Sequence, residues 1–205
     1  MLLAIDTSAG TSVAVVDREA GVIAEFGEAD TRRHAEVIGT LIARALAAAD
    51  IPVTALSGVA AGMGPGPFTG LRVGIAAARA FALGIGKPVV PVVSHDAVAF
   101  GLETPTLVVT DARRREVYWS TYGGTDVDGL PIREVGPALA PPAWLAEVVP
   151  GFDGHARMDV AIVSAGALGM VAELLYLHNR PFAGEGALYL RSPDVTVSAG
   201  PKRVS

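Results

Sequence analysis

The amino-acid sequence predicts an α/β fold with the N-terminal element order βββαβαβα, in which helices flank a mixed sheet. Two observations support this prediction. Short apolar or alternating runs come first, separated by breaks rich in Thr, Ser, Gly and Asp, and such runs are typical of strands joined by tight turns. Further along, apolar residues at helical spacing alternate with β-branched runs of strand length. Helices that alternate with strands are typical of a sheet covered by helices.

The first three predicted strands form a meander joined by tight turns. They lie at residues 2–5, 12–16 and 22–26. From His34 onward the spacing of apolar residues becomes helical, with Asp30 or Thr31 available as the N-cap and Pro52 marking the end. The residues at helical spacing are Ile38, Leu41, Ile42, Ala45, Leu46 and Ala49.

A loop rich in glycine and proline separates the fourth predicted strand from a second helix. Thr69 is the expected cap of that helix, and Ser94 is the expected cap of a short third helix. The predicted spans are 58–62 for the strand, 63–68 for the loop, about 70–85 for the second helix, 89–93 for a fifth strand and 94–102 for the third helix.

A second, smaller α/β lobe is predicted after the break at residues 103–105. Two of its strands, at 107–109 and 117–122, flank an arginine-rich turn, and a later helix is expected to end near Asn179. The sequence therefore divides into three parts. These are an N-terminal lobe at 1–103, a C-terminal lobe at 104–195 and a flexible tail at 196–205.

The formal net charge of −5 argues against a dominant electrostatic surface for RNA, because phosphate binding normally depends on clustered Lys and Arg. The basic run that stands out is Arg113-Arg114-Arg115. A solvated turn between two strands is the ordinary interpretation of such a run, and a minor role in guiding RNA stays open.

The composition favours a cytoplasmic protein. A hydrophobic fraction of 51% and a charged fraction of 18% are typical of a globular chain. No apolar stretch is expected to reach the roughly 18 residues that span a bilayer, and the first residues show no secretion signal. Cysteine is absent, so a disulfide scaffold is excluded. We therefore expect no membrane association.

The loop at 64–70 joins a strand to a helix, and this placement offers free backbone N–H groups and the positive end of a helix dipole. The sequence is equally compatible with phosphate binding and with a rigid structural turn, because glycines also permit tight turns. The loop matches neither the Walker A pattern nor the dinucleotide fingerprint. A carboxylate and two hydroxyls after the first strand pose the same choice between ligand binding and turn chemistry. The candidate binding residues are Asp6, Thr7, Ser8, Gly64, Gly66, Thr69 and Gly70.

The second predicted helix carries alanine and glycine on several of its faces. Small residues let neighbouring helices pack closely, so this helix is expected to have neighbours on two sides, its own sheet and a second protein. An abundance of alanine without that meaning is the alternative.

The sequence shows no pattern typical of a metal site or of a catalytic nucleophile. The four histidines have no short metal-ligand spacing. No Gly-x-Ser-x-Gly elbow marks a nucleophile. We therefore predict no metal site and no catalytic residue.

Taken together, several segments resemble the TsaB (YeaZ) family, and the resemblance spans nearly the whole chain. The Gly-Pro-Gly-x-Phe-Thr-Gly-Leu-Arg-x-Gly string within 64–74 is the specific part, while the other segments are persuasive through their order. The matching segments are 3–8, 33–36, 62–74, 111–113 with 116–118, and 189–191.

The resemblance implies an actin/Hsp70-like (RNase H-like) fold of two lobes. It also implies an accessory subunit that pairs with a TsaD-like catalytic paralogue and works with a TsaE-like ATPase in tRNA threonylcarbamoyladenosine modification, so that tRNA is an indirect partner. No cofactor is implied for the isolated subunit, although ATP or ADP is possible within the complex. A homodimer is expected when the partner is absent.

In that family the partner contact is a bundle of the first two helices of each subunit. Carried over residue by residue, the expected contact residues are His34, Ile38, Leu41, Ile42, Ala45, Arg72, Val73, Ala76, Ala77, Arg79 and Ala80.

The catalytic paralogue carries a metal-binding His-x-x-x-His, in which this sequence has His95 at the first place and Ala99 at the second. One imidazole is a weak metal site, so His95 is expected to be a capping or packing residue. The rival hypothesis is an enzyme of the same superfamily, a nucleotide-dependent phosphotransferase or a glycoprotease-like hydrolase. It would use Asp6 and the loop at 64–70 on a phosphate.

Overall fold

The N-terminal part of the chain forms a five-stranded mixed sheet with the strand order β3-β2-β1-β4-β5. The computed structural model describes residues 1–191. Strands β1, β2 and β3 are an antiparallel meander, and β1, β4 and β5 are parallel. The strands are β1 Leu2–Asp6, β2 Thr11–Asp17, β3 Gly21–Glu28, β4 Gly58–Gly62 and β5 Val89–Val92.

Helices cover both faces of this sheet because the side chains of its central strand alternate between them. Leu3 and Ile5 of β1 point into the core beneath two long helices, α1 and α2. Leu2 and Ala4 point into the opposite core, which a later helix, α5, covers. The α-helices within residues 1–191 are α1 His34–Ala49, α2 Phe68–Ile85, α3 Ser94–Ala99, α4 Leu145–Val148 and α5 Ala165–Leu177. The predicted order βββαβαβα is confirmed through α3.

A second sheet has the strand order β8-β7-β6-β9 and its own core around Trp119 and Leu145. Sequence reasoning missed β8 and β9. The strands are β6 Thr106–Asp111, β7 Val117–Thr125, β8 Pro131–Ala140 and β9 Ala156–Val160.

Helix α5 follows the second sheet in the chain but packs on the first one. Leu168 and Val171 are buried against β1 and β2, and a Cβ on Gly169 would lie 2.6 Å from Val16 Cγ2. Assigning residues 165–177 to the C-terminal lobe is therefore wrong, because their apolar side completes the core of the N-terminal sheet. The boundary near residue 103 stays a prediction, and the predicted tail at 196–205 lies outside the described residues.

The predicted helix caps differ from those in the structure. Arg33, not Asp30 or Thr31, is the N-cap of α1, because the Asp30 carboxylate accepts the Arg32 backbone N–H in a local turn instead. Pro67 precedes α2, which begins at Phe68, so Thr69 lies within the first turn. These ends use backbone geometry rather than a side-chain cap.

Ser94 is the first residue of α3 rather than its cap, which is Val93, and the helix ends at Ala99 rather than near residue 102. The Ser94 hydroxyl instead donates to Asp6 Oδ2 at 2.6 Å. The hydroxyl that looked like a local cap therefore makes a long-range bond to another strand.

Helix α2 is long and apolar enough to cross a membrane by length and composition, so the expectation that no stretch would reach this length was wrong. One side of α2 is buried against the sheet through Leu71, Ala78 and Ala82. A core helix of a globular protein passes the same test.

Candidate functional site

The Asp6 carboxylate lies at the carboxyl end of β1, in the middle of the first sheet, and is only 1% exposed. Its Oδ1 accepts the Ser8 backbone N–H at 2.7 Å and the Ser8 hydroxyl at 2.6 Å, and its Oδ2 accepts the Ser94 hydroxyl at 2.6 Å. Burial raises the pKa of the Asp6 carboxyl, and the hydrogen bonds from Ser8 and Ser94 oppose that shift. The carboxylate thus joins the end of β1 to the start of α3, the helix that follows β5.

The glycine loop packs directly on the turn after β1. Thr7 Oγ1 donates to the Gly70 carbonyl at 2.7 Å, and a Cβ on Gly74 would lie 2.1 Å from that same Oγ1. A Cβ on Gly66 would lie 2.8 Å from Ser8 Cα. Glycine is needed at Gly66 because the Ser8 backbone lies so close, and at Gly74 because the Thr7 side chain does.

The structure brings the predicted binding residues together, but it turns most of them inward. The side chains of Asp6, Thr7 and Ser8 are buried and hydrogen-bonded within the chain. This is the arrangement of the structural-turn alternative. Gly66 and Thr69 are the two predicted residues that line an open cleft. Nucleotide binding by this set stays a prediction.

That cleft lies between the start of α2 and the β6–β7 turn and has a volume of about 390 Å³. Its walls combine aromatic rings with guanidinium groups. The lining residues are Gly66, Pro67, Phe68, Thr69, Ala112, Arg113, Arg114, Tyr118, Tyr189 and Arg191. Tyr189 and Arg191 belong to a segment that matches the family in sequence, but no local pattern indicated that they line a cleft.

The arginine run forms the turn between β6 and β7, as the sequence predicts. Arg113, Arg114 and Arg115 have φ angles of 64°, 53° and 63°, which lie in the left-handed region. Asp111 Oδ1 accepts the Arg113 backbone N–H at 2.8 Å and so holds the start of the turn. Non-glycine residues in this region are strained by roughly 1 kcal/mol or more each, so the surrounding structure must hold the turn.

Helix α3 connects the first sheet to the second through His95. Its Nδ1 is 2.8 Å from Ser120 Oγ and its Nε2 is 2.9 Å from Thr110 Oγ1. Burial lowers the pKa of His95 to about 3, so the ring is neutral. This agrees with the expected packing role. Sequence reasoning missed Thr110 and Ser120, which no local spacing relates to His95.

The next residue, Asp96, strengthens the same connection. Tyr122 donates its hydroxyl to Asp96 Oδ1 at 2.7 Å, and Arg133 Nε lies 3.7 Å from that oxygen. Ala99, which the sequence resemblance places at the second position of the paralogue's histidine motif, is 1% exposed in a small apolar cluster. Across residues 1–191 no group of three or more His, Asp or Glu side chains is arranged to hold a metal.

The structure corrects part of the predicted partner contact. The buried residues on α1 face the protein's own core, so they present no surface to a partner. For example, Nδ1 of His34 lies 2.7 Å from Oγ1 of Thr11 on β2. The prediction is therefore wrong for His34, Ile38, Leu41 and Ala45, all of which are buried.

The other predicted contact residues differ in how open they are. Ile42, Val73 and Ala77 are partly buried against the same core. Ala76 and Ala80 are exposed on the outer side of α2. Arg72 and Arg79 are also exposed, but each donates to the C-terminal segment, to Tyr189 Oη at 3.3 Å and to the Glu185 carbonyl at 2.6 Å. For these residues, contact with a partner stays a prediction.

Two sheets joined through α3, with α1 and α2 on one face of the first, define a protein of the actin-like (RNase H-like) class. Two solved structures from Pseudomonas aeruginosa share this fold. One, described as an uncharacterized protein with similarity to peptidase YEAZ, aligns with a TM-score of 0.75 and 24% identity over 93% of this chain and 99% of its own. The other, YeaZ, aligns with a TM-score of 0.70 and 23% identity over 87% and 92%.

Residues 11–144 match the family model of TsaD, the tRNA N6-adenosine threonylcarbamoyltransferase. An uncharacterized protein of Mycobacterium tuberculosis is 40% identical over 203 residues, 94% of this chain and 92% of its own. The tRNA threonylcarbamoyladenosine biosynthesis protein TsaB of Escherichia coli is 34% identical over 126 residues, 59% of this chain and 54% of its own. The chain belongs to the TsaD family, and the recognition of the TsaB (YeaZ) group within it from sequence motifs is confirmed.

Proposed function

We propose that this chain takes part in tRNA threonylcarbamoyladenosine biosynthesis as a non-catalytic subunit that binds a TsaD-like catalytic paralogue. Membership of the family and the name of the Escherichia coli relative support the pathway. The observation that carries the subunit role is the outer side of two neighbouring helices. We call it the α1–α2 face, and it consists of Gly39, Ala43, Ala76, Ala80 and Leu83.

The α1–α2 face is open and apolar. Leu83 is 84% exposed, and it continues the row that Ala76 and Ala80 form at helical spacing along α2. Ala76 and Ala80 on α2, and Gly39 and Ala43 on α1, are exposed and small, so the backbone of a partner helix could approach them closely. A helical partner would bury this surface and fill the space beside the small residues.

The hydrogen bonding of His95 and Asp6, the groups that an enzyme of this class would use, supports a non-catalytic role. His95 has both ring nitrogens bonded to buried hydroxyls, and Asp6 is bonded to two serines. We propose that the isolated subunit needs no cofactor and that ATP or ADP acts only within the complex. ATP turnover by the isolated chain would contradict this part of the proposal.

The remaining partners follow from the same proposal. A TsaE-like ATPase would act on the assembled complex, and the subunit would support its turnover. A homodimer through the α1–α2 face is expected when the paralogue is absent, because a surface that fits a paralogue can fit itself about a two-fold axis.

An Ala76→Arg substitution is expected to abolish co-purification with the TsaD-like paralogue. The long charged side chain would prevent close packing of a partner helix at this small residue, and its guanidinium group would lose hydrating water in the contact. The measurement is affinity capture of the paralogue by the tagged chain, with Ala80→Arg as a second variant on the same face.

Ala146→Arg is the matched control, because Ala146 is an exposed alanine on α4, a helix of the second sheet's layer. It should leave capture unchanged. Circular dichroism would show that all three variants keep the wild-type fold. Normal capture by both folded α2 variants would exclude this face as the contact.

A further inference from the structure

Two arginines lie in line with the small and apolar residues on the outer side of α2. They belong to one exposed row at helical spacing, which consists of Arg72, Ala76, Arg79 and Leu83. Ala76 and Leu83 are also members of the α1–α2 face. The guanidinium groups of both arginines therefore border the surface to which we assign the partner.

This row forms one wall of an open groove of about 460 Å³, and residues 185–189 line the other side. Backbone hydrogen bonds hold this second wall against the first sheet. The Ala183 N–H donates to the Pro91 carbonyl at 3.1 Å, and the Leu188 N–H donates to the Met63 carbonyl at 2.7 Å. The groove is thus continuous with the α1–α2 face and has a wall of defined position on each side.

The positive charges of the groove are not used in ion pairs. Arg79 donates to the Glu185 carbonyl at 2.6 Å, and Arg72 donates to the Tyr189 hydroxyl at 3.3 Å and lies 3.6 Å from the Phe68 ring centroid. These partners are neutral, and neither arginine forms an ion pair with a carboxylate of residues 1–191. Against the two arginines the lining holds one acidic residue, Glu185, so a surplus of one positive charge remains in a chain whose net charge is −5. Carboxylates are the strongest partners of guanidinium groups in proteins, so the groove favours an acidic partner.

The spacing of the two arginines indicates what the partner presents. Seven residues of an α-helix make nearly two turns and rise by about 10 Å, so a helix packed along α2 would meet both with Asp or Glu seven positions apart. Among the helices of eight or more residues within 1–191, α1 has the single acidic residue Glu36, α5 has the single acidic residue Glu173, and α2 has none. A second copy of this chain therefore offers no such pair.

We propose that Arg72 and Arg79 select the partner by binding a helix of the TsaD-like paralogue that carries two carboxylates seven positions apart. The inference rests on the proposed function for the identity of the partner. Charges at the edge of an apolar contact steer association and fix how two surfaces align, while the apolar residues supply the burial. A homodimer through the α1–α2 face would use the apolar residues alone.

The test is the affinity of the full-length chain for the TsaD-like paralogue, measured by surface plasmon resonance at several salt concentrations. The Arg72→Gln/Arg79→Gln variant is expected to bind about tenfold more weakly at low salt, chiefly through slower association, and the difference should shrink as salt is raised. The Arg72→Lys/Arg79→Lys variant keeps both charges and should retain most of the affinity. Arg18→Gln, at the β2–β3 turn, is the matched control and should bind as the wild type does.

The lysine variant separates this inference from a structural role of the arginines in holding residues 185–189. If that role were the whole effect, the lysine and glutamine variants would lose affinity equally at every salt concentration, which would overturn the inference. Equal binding by all variants would also overturn it, while the subunit role would stand. An absence of binding by the wild type would overturn both.

Self-association of the chain alone, measured by analytical ultracentrifugation, tests the choice of partner. The glutamine variant should self-associate as strongly as the wild type. A loss of self-association as large as the loss of affinity for the paralogue would show that the arginines serve a second copy equally well, and it would overturn selection of an acidic helix.

Discussion

A Gly62→Ala variant is expected to lose about 3 kcal/mol of unfolding free energy, the upper end of the usual effect of overpacking a core. The added Cβ would lie 1.9 Å from Asp6 Oδ2 and 2.9 Å from Ser94 Oγ. Neither atom can move away cheaply, because the carboxylate is buried and bonded to Ser8 and Ser94. Chemical denaturation followed by circular dichroism measures the loss.

Gly39→Ala is the control for this prediction. Gly39 lies on the exposed side of α1, and a Cβ there would meet no atom within 4 Å. Alanine is a better helix former than glycine, so this variant should gain about 1 kcal/mol. If Gly62→Ala proved as stable as the wild type, the tight contact between β4 and the Asp6 carboxylate would be wrong.

The second large effect is a pH dependence of the unfolding free energy that arises from His95. The unfolded chain binds a proton at His95 near pH 6.5, whereas the native state, with a pKa of about 3, does not. Between these values the unfolded state holds one more proton. The contribution of neutral His95 to the unfolding free energy is therefore fully present above pH 6.5. It falls by about 1.4 kcal/mol for each pH unit as the pH drops toward 3.

A His95→Gln variant isolates this contribution. At pH 7 it should be less stable than the wild type by about 1–3 kcal/mol, because glutamine cannot reproduce both bonds, to Ser120 and to Thr110. The gap should narrow as the pH is lowered from 6.5. Asp6 and Asp96, whose pKa values burial raises, act in the opposite direction but are common to both proteins. A gap that stays constant from pH 7 to pH 4.5 would contradict a buried neutral His95.

The elements with a clear hydrophobic period were predictable from the sequence. Strand β1 and helices α1 and α2 each pack an apolar side into a core, and that pattern is visible in the residues. Strands β8 and β9 were missed because most of their side chains are exposed or only partly buried. Their position depends on pairing with β7 and β6, which no local pattern encodes.

The candidate contact surface was only partly predictable, for a physical reason. Helical spacing identifies the apolar side of α1. That side is buried against the chain's own sheet and is therefore not available to a partner. Ile38 and Leu41 were therefore assigned to the wrong surface, whereas Ala76 and Ala80 face outward. Small exposed residues give no periodic signal, so only the structure separates the two sides.

The long-range hydrogen bonds of Ser94 and His95 on α3 could not be predicted from the sequence either. His95 was expected to be a packing residue, but Ser120 and Thr110 lie on strands 15 or more positions away. Ser94 looked like a helix cap and instead binds Asp6, 88 positions earlier. Hydrogen bonds between distant segments follow from the arrangement of the sheets, which the local sequence does not specify.

The subunit role is tested most directly by reconstituting tRNA modification from a TsaD-like paralogue, a TsaE-like ATPase, tRNA and the activated threonylcarbamoyl donor, with and without this chain. The modified adenosine is quantified by mass spectrometry of the digested tRNA. We expect modification to require the chain and to be restored by adding it back. Modification that proceeds equally well without the chain would contradict its assignment as a required subunit.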